Sequence, residues 1–456
     1  MVWASVLKCI EMRMAVQRPN IIYIVSDDLG FADLGCYGGR TTESNPISPN
    51  LDRLATGGLR LTKGYSNSPV CSPTRFALMT MRYQYRLRGA LEEPINSASK
   101  GNPTLGLPTD VPTLPSLLRD AGYHTGLVGK WHLGYPPTFG PLRSGYEEFF
   151  GIMTGGVDYF TYCSFNGDHD LYLGENEHKE VGYLTDVFSH RAVDYIQRMA
   201  SDAKGGQPFF LSLHYTAPHW PWETRDDADI APGLAKNLLH LDGGNIHSYR
   251  KMIHHMDEGI GWVVDALRAH GLEDNTLVVF TSDNGGERFS DNWPLVGGKM
   301  DLTEGGIRVP WIAHWPAVIP ANGTSNQHCM TMDWSATVLD VGGGIANEDH
   351  PLDGISLRAL LDNPDHTFHR PLYWRMNHRG QRALRDGHWK YLMVDGNEYL
   401  FNIDADERER ANLAKRYPDL LERMRQQWQD WNATMPPIPA DATVSSGYSS
   451  TDMPQR

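Results

Sequence analysis

Four short apolar runs, each cut off abruptly by polar residues, constrain this chain more than any other feature. Residues 20–25 (Asn-Ile-Ile-Tyr-Ile-Val) stop at Ser26-Asp27-Asp28, and residues 125–128 lead into Gly129-Lys130-Trp131-His132. Residues 208–213 run on to Ala217-Pro218-His219, and residues 276–280 end in Ser282-Asp283-Asn284-Gly285-Gly286. Uninterrupted apolar strands fit a sheet covered on both faces. Segments of helical period fill the intervals. Residues 184–200 place Phe188, Ala192, Ile196 and Met199 on one face, with Thr185 and Asp186 available as caps. Residues 249–270 do the same with Met252, Met256, Ile260, Val263 and Leu267, and Gly271 stands where a C-cap belongs. Strands alternating with helices predict an α/β fold with a largely parallel sheet. Ligand sites in such sheets lie beyond the carboxyl ends of the strands, so the four polar clusters are expected to converge on one edge.

After about residue 350 the texture changes. Residues 371–374, 382–385 and 389–394 read as short antiparallel strands, with Asp386-Gly387 and Asp395-Gly396 as turns, and residues 418–431 as a closing helix. The expected organisation is a catalytic domain over 15–365, a small C-terminal α+β subdomain over 366–435 and a loosely held tail over 436–456. A net charge of -14 argues against nucleic acid as a partner, and no apolar run has the length to cross a bilayer. Five widely spaced cysteines show neither a disulfide framework nor zinc-ligand spacing. Lys8, Glu11 and Arg13 break up any secretory core at the start. The expectation is a cytoplasmic enzyme or one lacking its native leader, with Met12 or Met14 as alternative starts.

The strand ends carry the chemistry. Asp27 and Asp28, brought together with Asp283 and Asn284, form an all-oxygen set suited to Ca²⁺ or, less well, Mg²⁺, although each motif alone reads as a turn. In Cys71-Ser72-Pro73-Thr74-Arg75, Ser72 suits an N-cap and Pro73 a first helical turn. Cys71 then precedes a helix N-terminus, which favours an anion, and Arg75 adds a donor fork for sulfate or phosphate oxygens. A buried structural cysteine and an ordinary thiolate nucleophile are the other two readings of Cys71. Lys130 and His132 place a fixed charge beside a proton shuttle. His219 lies between Pro218 and Pro221, and Lys299 joins the set from Gly297-Gly298-Lys299. His214, His254, His255 and His270 are assigned to packing or surface. The loop 155–178 holds Tyr159, Phe160, Tyr162, Phe165 and His169, which either stack on a substrate ring or pack.

Taken together these motifs resemble type I, formylglycine-dependent sulfatases of the alkaline phosphatase superfamily, in the arylsulfatase A and N-acetylgalactosamine-6-sulfatase-like branch. The marker is Cys71-x-Pro73-x-Arg75, supported by Glu304-Gly305-Gly306-Ile307-Arg308-Val309-Pro310 and by Arg385-Asp386-Gly387-His388-Trp389-Lys390-Tyr391. The likeness spans residues 18 to 432. One departure stands out: the family usually reads Thr-Gly after the marker, and this chain reads Thr80-Met81-Arg82. The resemblance implies an alkaline-phosphatase-like fold and hydrolysis of an aryl or carbohydrate sulfate ester. Asp27, Asp28, Asp283 and Asn284 would hold one Ca²⁺, and a formylglycine-generating enzyme would act transiently on Cys71. The hydrated aldehyde would attack sulfur, Arg75 would position it and Lys130 would bind sulfate oxygen. His132 would take a proton, and His219 and Lys299 would contact the sulfate and leaving oxygen. A phosphate or phosphonate monoester hydrolase on the same fold is the nearest alternative. A catalytically dead glycan-binding homologue would lack a nucleophile, base or metal ligand, and none is missing.

Overall fold

The computed structural model describes residues 18–39, 46–234 and 244–445; Met12, Met14 and the last eleven residues of the expected tail lie outside them. Each of the four apolar runs is a strand: β1 (Asn20–Ser26), β2 (His124–Lys130), β3 (Phe209–His214) and β4 (Thr276–Ser282). They lie in the order β4-β1-β3-β2 at the centre of a ten-stranded sheet, every pair parallel. Beyond β4 runs β5 (Trp311–His314), antiparallel to it, so the sheet is mixed and mostly parallel.

Burial on both faces explains the unbroken apolar runs. Every residue of β1 and β4 is buried. Ile22 and Ile24 share a core with Phe188, Ile196, Met256 and Ile260 from the helices Leu184–Lys204 and Ile246–Ala269. Ile21, Tyr23 and Val25 point the other way, into a core with Phe76, Leu78, Trp334 and Val338 from Cys71–Thr80 and Thr331–Val341. That alternation is the period of two of a strand, and each buried aliphatic side chain contributes about 1.5–3 kcal/mol.

The helix caps differ from the expected ones. Asn245 caps Ile246–Ala269 through its side-chain oxygen, so that helix begins three residues before the expected Tyr249. Leu184–Lys204 begins after Tyr183 with no side-chain cap, so neither Thr185 nor Asp186 performs that task. Among the described residues no helix is long and apolar enough to cross a membrane.

Near the C-terminus a four-stranded antiparallel sheet packs under the helix Pro418–Ala433 through Met424 and Trp428. Its fourth strand, Asn397–Asn402, was not among the expected elements; its polar residues hide the alternation. A shared core joins this sheet to the large one: Val70, Cys71 and Ala77 pack with Leu372, Trp374 and Ala383. A buried ion cluster locks the same joint. Lys390 Nζ lies 3.0 Å from Glu304 Oε1 and 2.8 Å from Glu409 Oε1, and Tyr65 donates to Glu304 Oε2 at 2.8 Å. The chain after the closing helix, read from composition as loosely held, is hydrogen-bonded through residues 443–445 to the segment around Glu93. There Glu93 N–H donates to Thr443 O at 3.0 Å and Ser445 N–H to Glu93 O at 2.8 Å.

Removing Lys390 would leave Glu304 and Glu409 buried without their shared cation. Lys390→Met is expected to cost about 3–5 kcal/mol, read as a lowered urea midpoint; an unchanged midpoint would contradict the assigned lock.

Candidate active site

Strand register brings the polar clusters level. Ser26 pairs with Ser282, Val25 with His214, and His214 with Gly129. Asp27, Asp283 and Lys130 therefore emerge side by side at the carboxyl edge, all buried. Asp28 and His132 take φ of 62° and 59°, left-handed conformations that non-glycine residues seldom adopt, and each costs on the order of 1–3 kcal/mol. The sheet holds that strain where the chain turns sharply at the strand ends.

The helix Cys71–Thr80 meets this edge with its N-terminus. It starts two residues earlier than expected, with Val70 rather than Ser72 as N-cap and no capping side chain. Ser72 has another use: its Oγ accepts from Ile95 N–H at 2.9 Å. Ile95 O in turn accepts from His132 Nε2 at 2.7 Å. That bond fixes the His132 proton on Nε2 and leaves Nδ1 as a buried acceptor with no protein partner. Burial, reinforced by Lys130, holds the ring well below the usual imidazole range, so it is neutral. Cys71 is also buried, and its thiol is pushed up to about 11 by burial against the pull of Lys130 and Lys299. A protonated thiol is a poor nucleophile, which weakens the ordinary thiolate reading.

Arg75 ties the helix to the strands. Its Nε and Nη2 grip Asp283 Oδ2 at 3.0 and 2.9 Å, Nη1 donates to Lys130 O at 3.0 Å, and Nη2 lies 3.6 Å from Asp27 Oδ2. The donor fork expected to face substrate oxygens is thus engaged by a carboxylate beneath them. His214, assigned to packing from sequence, belongs to this inner layer: its Nδ1 lies 3.4 Å from Arg75 Nη1 and 3.3 Å from Lys130 O. Its position at the end of β3 was the signal available. Glu287, just past the Asp283 cluster, was missed as well. It is half-buried, its Oε2 is enclosed with no hydrogen-bond partner, and desolvation pushes it up to about 8 although Lys299 opposes the shift.

The oxygens at the centre suit a divalent cation. Atoms of Asp27, Asp28 and His219 lie within 4.8 Å of one another. Asp27 Oδ1 and Asn284 Oδ1 are buried and have no hydrogen-bond partner, an arrangement that is costly unless a cation satisfies them. Asp283 sits differently from its expected partners. One of its oxygens is committed to Arg75, and the other accepts from Asp28 N–H at 3.4 Å. Lys130 Nζ bonds Asp27 Oδ2, and Lys299 Nζ lies 2.7 Å from Asp28 Oδ2. His219 Nδ1 is bonded to Trp220 O at 2.6 Å, which leaves Nε2 toward Asp28, 3.6 Å from Oδ2. All ten residues singled out from sequence therefore meet at one edge.

A cavity of 390 Å³ opens above Cys71, His132 and His219, with Phe165, Trp220 and Ser445 among its other walls. Residues 19–345 match the Sulfatase family model. The chain belongs to the sulfatase family. It is a sulfuric ester hydrolase. It is 30% identical to arylsulfatase J of Mus musculus over 92% of this chain and 77% of that protein. It is 34% identical to N-acetylgalactosamine-6-sulfatase of Homo sapiens over 76% of this chain and 66% of that protein. The crystal structure of Ps i-CgsB in complex with k-i-k-neocarrahexaose superposes with a TM-score of 0.80 at 32% identity, covering 94% of each chain.

The departure at Thr80-Met81 in this sulfatase now has a physical setting. Met81 ends the Cys71 helix in a left-handed conformation (φ 58°), the position where glycine is least strained, and its side chain is fully buried.

Gly155 marks how tightly His132 is held. A Cβ there would come within 2.6 Å of His132 Cε1, and the ring cannot retreat without losing Ile95. Gly155→Ala is expected to lower kcat for sulfate ester hydrolysis about 100-fold in protein that stays folded by circular dichroism. Activity within twofold of wild type would show that the ring need not stand where it does.

Proposed function

We propose that this sulfatase hydrolyses a sulfated carbohydrate using formylglycine made from Cys71 and one Ca²⁺ held by Asp27, Asp28, Asn284 and Asp283. The observation that carries the reading is the pair of buried, unpartnered oxygens, Asp27 Oδ1 and Asn284 Oδ1, at the strand ends that the Cys71 helix meets. For Asp283 to serve as a ligand, its contacts with Arg75 and Asp28 N–H must be shared with the cation. Formylglycine supplies a hydrated aldehyde hydroxyl as nucleophile toward sulfur, and the cation supplies positive charge to nucleophile and sulfate oxygens.

The rest follows from the chain itself. Asp27, Asp28 and Asp283 are matched by Arg75, Lys130 and Lys299, so a divalent cation gives the site the surplus positive charge that an anionic ester requires. Lys130 binds a sulfate oxygen. His132 is neutral and its Nδ1 is free, so it receives the proton of the second hydroxyl at residue 71. Lys299 and His219 Nε2 face the leaving oxygen; the bond to Trp220 O keeps the His219 proton on Nδ1, so Lys299 is the proton donor and His219 Nε2 an acceptor. Arg75 positions the nucleophile by fixing its helix against Asp283. A carbohydrate leaving group is supported by two relatives: one is an N-acetylgalactosamine-6-sulfatase and another was crystallised with a neocarrahexaose.

Two treatments test this reading. Removing Ca²⁺ with EGTA is expected to abolish sulfate release from 4-nitrophenyl sulfate and lower Tm; Ca²⁺ at about 100 times its Kd restores activity and about 2.7 kcal/mol of stability. Cys71→Ala is expected to release no sulfate above background. Full activity in either the chelated protein or the variant would contradict the reading.

A further inference from the structure

The aromatic loop between the cavity and the edge strands divides into packing residues and one exposed ring. Tyr159 and Tyr162 are each 1% exposed and belong to the core. Phe160 packs on Tyr183. Phe165 is 46% exposed and lines the cavity above Cys71. It sits at the tip of a hairpin closed by a bridge between Cys163 and His169. Within that tip Ser164 N–H bonds Asp168 O at 2.8 Å, and Lys100 holds Asp168 from outside at 2.9 Å. At the base, the Asp170 carboxylate accepts from Thr154 N–H at 2.8 Å and Met153 N–H at 3.2 Å. The tip is therefore braced rather than loose. Phe165 meets Trp220 edge to face, with centroids 4.9 Å apart at 71°, and Trp220 adjoins His219.

Polar groups complete the cavity. Asn96 and Ser97 line it, as does Ser445 from the C-terminal segment. That segment is pinned at Thr443, whose N–H donates to Glu92 Oε2 at 2.9 Å and whose hydroxyl bonds the same oxygen. An exposed flat apolar ring and a set of hydroxyl and amide groups, lining one cavity, match the two surfaces of a sugar: its C–H face and its hydroxyls.

We infer that Phe165, braced on Trp220, is the platform for the sugar ring that bears the sulfate, and that Ser445, held in the cavity wall by the C-terminal segment pinned at Thr443, helps to select it. This deepens the reading of the reaction given above and rests on it. Sulfate is gripped at the strand edge and Phe165 acts on the leaving group alone. Loss of its ring therefore weakens substrate binding more than turnover, and a flat replacement restores it.

The test compares wild type, Phe165→Ala, Phe165→Tyr and Thr443→Val, each with Ca²⁺ and verified modification at residue 71. Substrates are 4-nitrophenyl sulfate and the 6-sulfates of galactose, N-acetylgalactosamine, glucose and N-acetylglucosamine, with k-i-k-neocarrahexaose as the oligosaccharide. Phe165→Ala is expected to raise KM for the best sugar about fivefold to tenfold, with a smaller change in kcat. Phe165→Tyr is expected to restore KM to within about twofold, and Thr443→Val to raise it about threefold. The inference is overturned if no sugar sulfate exceeds 4-nitrophenyl sulfate in kcat/KM, or if Phe165→Ala leaves KM for the best sugar within twofold. Calorimetric titration of Cys71→Ala protein with the same sugars separates the two claims. Binding that Phe165→Ala weakens, in an enzyme that releases no sulfate, supports the platform and overturns the reaction; sulfate release with no effect of Phe165→Ala does the reverse.

Discussion

The contact between Arg75 and Asp283 is the one on which the rest of the site depends. It joins the first turns of the Cys71 helix to the end of β4, and the same guanidinium reaches Lys130 O at the end of β2 and Asp27 at the end of β1. One buried cation thus fixes the Cys71 helix against three strands that are far apart in sequence. Buried ion pairs add little net stability against well-packed apolar groups, but breaking one strands a charge. Here the pair acts as a position-setter: it places the helix N-terminus over oxygens that have no other partner.

Much of this was legible in the sequence because the strands are buried on both faces. An unbroken run such as Ile21-Ile22-Tyr23-Ile24-Val25 allows little besides a central strand, and a parallel sheet puts its carboxyl ends on one edge. The convergence of the ten residues on one edge followed from that rule together with the resemblance carried by Cys71-x-Pro73-x-Arg75. His214 escaped notice because a histidine closing an apolar strand looks the same whether it packs on methyl groups or on a guanidinium. Glu287 escaped because a carboxylate after a glycine pair reads as a solvated turn. Helix caps were misplaced for a related reason. Ser72 and Thr185 suit an N-cap, yet burial of the whole Cys71 helix and of Leu184-Thr185 lets packing set the boundary, and the Ser72 hydroxyl bonds Ile95 N–H instead.

The family-like segments outside the site also have a physical reason. Glu304 and Arg308 lie in one, Arg385 and Lys390 in the other, and the structure brings them to one buried joint. There Lys390, Arg385 and Arg308 outweigh burial and hold the Glu304 carboxyl below its usual range. The joint seats the small sheet against the Cys71 helix through Trp374 and Leu372. It also brings the C-terminal segment back to Glu92 and Glu93 and so to the mouth of the cavity. The C-terminal part of the chain, with no residue among the ten at the strand edge, thereby contributes Ser445 to the wall of the cavity above them.

The central claim is that residue 71 acts as formylglycine, and the most direct measurement is the mass of its tryptic peptide, residues 64–75, from active protein. The account predicts a peptide that has lost sulfur and two hydrogens and gained one oxygen relative to the encoded sequence. An intact cysteine in protein that still releases sulfate from its ester at full rate would contradict it.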